Sequence, residues 1–468
     1  MDKRICFRPG RETAASWNMK RWRNRFLTIA AASLVVMFAL NQHIISQDTT
    51  LRHRQPMPLR QNKKTYTFET FSAKFSSENF ELTSIFQAHY GPKRIVYDID
   101  CQRIIQGDEH YISVANTTMS NRTYLFPTDK EMGNLAQNCV AFLKTFDYES
   151  FFVSQEEFDF PIAYTILTYK DVVQTEKLLR AIYRPHNLYC IHVDKISDNR
   201  WVRYAMLSIA NCLPNVFLAS KSEDVIYAGF SRLKADLNCM SDLLNNVDVN
   251  WRYVINLPSQ EFPLKTNLEI VRILQTFNGT SIVESDYNEN TIYRYNETYT
   301  VKDGKLESTG KKKDPPPYNI TVGMGSAYGV FSRDFVNYSI NDAKAQGILK
   351  WLEDTYSPDE SFWATLVFNK HLNVPGVNCT GVPTRKWWIA VNTLWHLAHK
   401  DCHGKYVRDI CVFGLGDLKR LVSERELFAN KFHHDYQPLA LQCMEEWMFN
   451  TTFTEVPSEA YYYRILVH

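Results

Sequence analysis

Residues 161–194 set an apolar β-rich run, a helical pattern and a second apolar run one after another, and few folds accommodate that order. PIAYTILTY (161–169) is rich in β-branched and aromatic residues and predicts a strand. In VVQTEKLLRAIYRP (172–185), Leu178, Leu179, Ile182 and Tyr183 fall on one helix face, and Pro185 ends the pattern. NLYCIHVD (187–194) predicts a second strand that finishes on Asp194. Such a βαβ unit implies a parallel sheet. Further strands are expected at 215–219, 252–257, 280–285 and 327–331, with an amphipathic helix over 230–244. The alternation predicts an α/β fold. In open sheets of this class ligands sit at the carboxyl ends of the strands, which directs attention to Thr168, Tyr169, His192 and Asp194. Residues 81–155 suggest helical pieces around a few cysteines, and 302–318, with KKKDPPP, read as a loop.

The 468 residues suffice for one large catalytic domain or two ordinary ones, and a content of 45% hydrophobic and 22% charged residues excludes a disordered chain. The 26 Tyr and 28 Phe suit a core or a carbohydrate-contacting surface. A net charge of +2 provides no global field for nucleic acid, which is not an expected partner. The local cations Lys20, Arg21, Arg23 and Arg25 are followed at once by an uncharged apolar run, 26–40, which reaches near-bilayer length when continued to residue 45. A cleaved signal peptide competes with an uncleaved anchor; the distance from Met1 and the missing Ala-x-Ala site favour the anchor. The positive-inside rule then gives a cytosolic tail (1–25), a transmembrane signal anchor (26–45), a polar stem (46–80) and a lumenal domain (81–468). Two features agree. Glycosylation sequons at Asn116, Asn121, Asn278, Asn296, Asn319, Asn337, Asn378 and Asn450 all follow the anchor, and of 10 cysteines only Cys6 precedes it. The odd lumenal count implies a free thiol or an intermolecular bridge.

No phosphate-binding glycine loop is present. The single Asp-x-Asp, Asp98-Ile99-Asp100, lies before the βαβ unit, so no metal is expected at it. Asp194 suits a ribose or uracil contact, or simply a turn after a strand. In DTYSPDESFWATL (354–366), Ser357, Pro358 and Glu360 spell a capping box with Pro at the first helical position. The other reading makes Asp359 or Glu360 a general base facing a cleft, with burial against Phe362 and Trp363 offsetting the helix N-terminus. Arg408 and Lys431 are either solvated surface charges or a cation pair that neutralises a leaving diphosphate.

LLRAIYRPHNLYCIHVD (178–194), SRLKADLNCMSDL (231–243), INLPSQEFPLKTNLEIVR (255–272), GSAYGVFSRDFV (325–336), DTYSPDESFWATL and the 409–432 segment together resemble the core 2 / I-branching β1,6-N-acetylglucosaminyltransferases over roughly residues 100–446. The resemblance implies a GT-A-type fold with a Rossmann-like sheet, a Golgi type II membrane protein, and inverting transfer of GlcNAc from UDP-GlcNAc to the 6-hydroxyl of a GalNAc or Gal on O-linked glycans. No metal and no other cofactor is expected, and a homodimer is left open. By resemblance Glu360 is the catalytic base; Leu167, Tyr169, Asp194, Arg408 and Lys431 bind the donor; Glu284, Arg294 and Trp395 bind the acceptor. It also implies the bridges Cys101–Cys443, Cys139–Cys212, Cys190–Cys239 and Cys402–Cys411, leaving Cys379 over. The chain departs from the family pattern at Tyr169 (usually His), at Pro258-Ser259 (Cys-Gly), at Glu261 (Asp), at Asn290-Thr291 (an acceptor Lys) and at Leu397 (an acceptor Tyr). These changes leave UDP-glucose and UDP-xylose open as donors. A glycan-binding protein without catalysis is the reading from a different class, and the presence of Glu360, Arg408 and Lys431 counts against it.

Overall fold

The expected βαβ unit lies at the centre of the protein. The computed structural model describes Val96 and residues 98–453, apart from 123, 149–152, 196–199, 378–383, 385–387 and 398–400. The expected tail, anchor and stem, together with Asn378 and Cys379, lie outside the described residues. Strand β1 (Ile162–Thr168) is flanked by β2 (Leu188–Val193) and β4 (Tyr253–Pro258), both parallel to it, and β3 (Val216–Leu218) pairs in parallel outside β2. The Val172–Ile182 helix makes the first crossover. Every residue of β1 is buried, which explains its unbroken apolar run: both faces of a parallel sheet are covered by helices. Ile162, Tyr164 and Ile166 point into one core with the Val172–Ile182, Arg200–Cys212 and Asn267–Phe277 helices. Ala163 points into the other, with the Phe230–Asn245 helix and Phe335, Phe362 and Trp363.

Beyond β4 the chain forms short β5 (Glu261–Pro263), the hairpin β6 (Glu297–Lys302) and β7 (Lys305–Lys312), and β8 (Val330–Ser332), which adds an antiparallel edge beside β4. Strands β9 (Val391–Thr393) and β12 (Phe428–Asn430) join β5 in a small sheet with β12 in the middle, and β10 (Lys405–Val407) pairs with β11 (Ile410–Val412). The large sheet runs β3-β2-β1-β4-β8. The chain therefore winds outward from β1 to β3 and returns to the other side of β1, so the topological switch lies between β1 and β4.

Two expectations are corrected. Residues 280–285 form no strand; Ile282 makes only an isolated bridge to Val330. The loop expected at 302–318 is largely the β6–β7 hairpin, turned at Asp303-Gly304 with both residues at positive φ, as a two-residue primed turn requires. The Asp-Gly signal stood in the sequence, but both strands face water on most positions and so lack the alternation that marks a half-buried strand.

All four bridges that the resemblance implies are present. Cys190–Cys239 ties β2 to the Phe230–Asn245 helix, and Cys101–Cys443 ties the first described helix to the last, Pro438–Phe453. The last helix is also held by charge: Glu445 receives Lys177 and, at 2.5 Å, Arg180, while Arg180 reaches Glu176 at 3.0 Å, all within the protein interior. Removing the shared carboxylate leaves Lys177 without its ion-pair partner and Arg180 with Glu176 alone. Glu445→Ala is expected to cost about 3–5 kcal/mol, read as a lower urea midpoint at unchanged slope.

Candidate active site

The carboxyl ends of β1 and β2 gather the first group of candidate residues. Leu167 is buried and its carbonyl accepts the Ser259 N–H at 2.9 Å, which stitches β1 to the chain leaving β4. Tyr169, two residues on, is half exposed at the rim. Asp194 sits just past β2: its N–H donates to the Thr168 carbonyl at 2.9 Å, and its Oδ1 accepts the Val225 N–H at 3.3 Å. Asp194 thus joins the ends of β1 and β2 to the 220–226 loop.

The second group is cationic. Arg408 and Asp409 occupy the two-residue turn between β10 and β11, both at positive φ, a region that non-glycine residues rarely adopt. Three ties hold the turn in place. The Asp409 carbonyl accepts the His396 N–H at 2.9 Å, the Lys431 ammonium donates to the Val407 carbonyl at 3.0 Å, and Cys402–Cys411 closes the hairpin's base. The Arg408 guanidinium lies over the Tyr227 ring, 5.0 Å from its centroid. Lys431 follows β12 and is buried; burial first, and then the charge of Arg408, hold its pKa below the ordinary lysine range. His433 stands close by. Burial, and then Lys431, depress it to about 4, with Lys170 and Lys405 adding to the effect, so it is neutral at pH 7. Two cations are thus held near enough for the charge of Arg408 to act on Lys431, an arrangement that a bound anion would relieve. Trp395 bridges Ile410 across the hairpin and is half exposed, which places it on the Arg408 side.

The third group surrounds Glu360. Here the capping-box reading fails. Ser357 has φ 46° and makes no side-chain cap, Pro358–Glu360 is a 3-10 turn, and the α-helix begins only at Phe362. Phe362 and Trp363 are buried in the core, while the Glu360 side chain remains 38% exposed. Its carboxylate reaches Arg294 instead of the backbone of Ser357. The buried carboxyl of the motif is Asp359. Burial raises it to about 6 against the pull of Arg232, with the charges of Glu360 and Asp236 adding to the rise. Gly325 donates its N–H to the Glu360 carbonyl at 2.9 Å, and a Cβ on it would lie 1.9 Å from the Glu284 carbonyl oxygen. Only glycine lets the backbones of Glu284 and Glu360 approach in this way.

The cationic group and the Glu360 group are joined through the backbone. Ser357 donates its N–H to the Ala228 carbonyl at 2.8 Å, and Ala228 follows Tyr227, the ring beneath Arg408. Tyr356 donates its N–H to the Arg294 carbonyl at 2.9 Å. The aromatic lining of Tyr227, Tyr293 and Tyr356 was not anticipated from sequence. The one signal was for Tyr227 alone, a single aromatic immediately before the Ala228-Gly229 break that opens a helix. The Asp-x-Asp pair is occupied elsewhere: Asp98 accepts a fork from Arg122 at 2.9 and 2.6 Å, and Asp100 caps the Cys101–Gln106 helix.

A family model described as "Branch: Core-2/I-Branching enzyme" matches residues 162–422, which span β1, Glu360 and the hairpin that carries Arg408. The chain belongs to the core-2/I-branching enzyme family. It is 37% identical over 399 residues to a Homo sapiens beta-1,3-galactosyl-O-glycosyl-glycoprotein beta-1,6-N-acetylglucosaminyltransferase, covering 81% of this chain and 91% of that one. It is 40% identical over 334 residues to enzyme 4 of the same name from Danio rerio, covering 68% and 76%, and 40% identical over 331 residues to a Homo sapiens N-acetyllactosaminide beta-1,6-N-acetylglucosaminyl-transferase, covering 68% and 80%.

In this branching enzyme the unusual segment after β4 lies at the topological switch. Pro258 is the last residue of β4 and pairs with Leu167; Ser259 is buried. Glu261 is fully buried, accepts the Asn430 side-chain N–H at 3.1 Å and has a second oxygen without a partner. Burial pushes its pKa well above the ordinary carboxylate value, against the hydrogen bond from Asn430. Of the sequons, Asn121, Asn278, Asn296, Asn319, Asn337 and Asn450 are exposed and Asn116 is half-buried.

The Asp359 shift has a definite sign. Between about pH 4 and about 6 the folded protein keeps a proton that the unfolded chain has released, so stability falls as pH rises through that window. Asp359→Asn mimics the protonated acid and is expected to flatten this part of the profile, measured as melting temperature against pH.

Proposed function

We propose that the chain transfers GlcNAc from UDP-GlcNAc to the 6-hydroxyl of a GalNAc or Gal on an O-linked glycan, making a β1,6 branch in a single inverting step. The observation that carries the reading is the joining of an unburied carboxylate, Glu360, to a fixed cation pair through one short backbone path. Glu360 takes the proton of the acceptor hydroxyl, and that oxygen forms a bond to the anomeric carbon. The bond from that carbon to the UDP oxygen breaks, and the electron pair leaves on the diphosphate. Arg408 and Lys431 offset the charge that develops there, the part a divalent cation plays in other transferases. Leu167, Tyr169 and Asp194 hold the uridine end; Glu284, Arg294 and Trp395 hold the acceptor. The half-exposed Trp395 and Tyr227 rings offer apolar faces to the sugars.

A GT-A-type fold is supported by the five-stranded sheet, whose four parallel strands put the switch point between β1 and β4. The bridges and the exposed sequons favour an oxidising lumen. With the apolar run at 26–40 behind its cluster of cations, they support a Golgi type II protein. Pro258-Ser259 and Glu261 lie beside the donor end of β1, and on that ground UDP-glucose or UDP-xylose is the second reading. A donor panel with one core 1 disaccharide acceptor and linkage analysis of the product separates the two.

Glu360→Gln is expected to lower turnover by about 10²–10⁴-fold while UDP binding, followed by calorimetry, is kept. Transfer should also persist in EDTA; a strict manganese requirement would sink the role given to Arg408 and Lys431.

A further inference from the structure

We propose that Arg294 holds the Glu360 carboxylate out of action until an acceptor sugar displaces it, so that water does not consume the donor. This rests on Glu360 being the base. Arg294 Nη1 contacts Glu360 Oε2, and Arg294 is the side-chain partner of that carboxylate among the described residues. An oxygen whose lone pair is engaged by a guanidinium cannot at the same time accept a hydroxyl proton with it.

The arrangement of Arg294 suits a contact that is made and broken. Its backbone is fixed, since its carbonyl receives the Tyr356 N–H. Its guanidinium lies 5.9 Å from the centroid of the Tyr293 ring and 5.8 Å from that of Tyr356, so the rings keep the cation near in either position. It ends a 3-10 turn, Glu289–Arg294, in which no residue is buried, so its side chain can change partner without disturbing a core. Glu360 is 38% exposed and open to water, whereas Arg294 is 18% exposed.

A bare base in such a place would activate water as readily as a sugar. The side reaction is complete in itself: the water oxygen bonds to the anomeric carbon, the bond to the UDP oxygen breaks, and the water proton passes to Glu360 and on to solvent. The products are UDP and free sugar. An acceptor offers hydroxyl oxygens that accept the guanidinium N–H groups; once Arg294 turns to them, Oε2 is released beside the 6-hydroxyl. Water alone does not provide that exchange of partners at a fixed geometry. A permanent pair that merely orients Glu360 is the competing role, and it predicts the opposite kinetics.

The test uses the full chain with UDP-GlcNAc. UDP release without acceptor and transfer to a core 1 disaccharide are measured for Arg294→Met, Arg294→Lys and the double variant Arg294→Met/Glu360→Gln, with melting temperatures checked alongside. Arg294→Met should raise hydrolysis in absolute rate and increase the hydrolysis-to-transfer ratio about three- to tenfold, the scale of a partly exposed ion pair. Arg294→Lys, which keeps the charge without the fork, should fall between. Hydrolysis should return to background in the double variant. A parallel fall of both rates, or an unchanged ratio, in both single variants would overturn the clamp and leave Glu360 as the base. Hydrolysis that persists in the double variant would instead remove Glu360 from that role.

Discussion

The site depends on one backbone hydrogen bond, from the Ser357 N–H to the Ala228 carbonyl. Both residues have positive φ, a conformation that costs a residue with a side chain and persists only where the surroundings impose it. On one side of the bond the chain turns through Pro358 and Asp359 to present Glu360; on the other it presents Tyr227 beneath Arg408. Glu360 and Arg408 come from segments more than forty residues apart in sequence, and neither belongs to a long regular element. Their relative placement is therefore a property of this junction, with the sheet behind it as a rigid backing.

Electrostatics divides the interior into three zones with different rules. Around Glu445 the charges are paired and remain charged because each carboxylate meets a cation. At Glu261 the carboxyl has one side-chain hydrogen-bond partner, and burial works against its charge. Between them, Asp359 lies near enough to Arg232 to keep part of its acidity and near enough to Glu360 and Asp236 to lose part of it. The cations that face the cleft, Arg408 and Lys431, are the reverse case: like charges brought together, with Lys431 already destabilised by burial. A bound anion would relieve the repulsion, whereas Lys431 alone bears both burial and the charge of Arg408.

The central sheet was legible because β1 and β2 are buried on both faces, and continuous apolar runs of that length leave little choice. The hairpin at 297–312 was not, because its residues face solvent and its pairing is carried by backbone bonds and an Asp-Gly turn. The Ser357 motif misled for a different reason. Its residue types satisfy a capping box, but the N–H groups it would serve belong to a helix that starts four residues later, and tertiary contacts to Ala228 and Arg294 take precedence. Glu360, Arg408, Lys431 and Asp194 could be named from the motif resemblance, while spacing alone left each with a bland alternative. Tyr227, Tyr293 and Tyr356 escaped because an aromatic residue in a 14% aromatic chain carries no signal until a neighbour is seen beneath a guanidinium.

The Cys402–Cys411 bridge spans the hairpin whose tip carries Arg408, and the Lys431 N–H donates to the carbonyl of Cys411 at 3.3 Å. One covalent link thus braces the loop of one cation and the strand end of the other. A newly made chain in which these thiols have not yet joined lacks that brace. Joining these two thiols and fixing the Arg408 turn relative to Lys431 are then a single step.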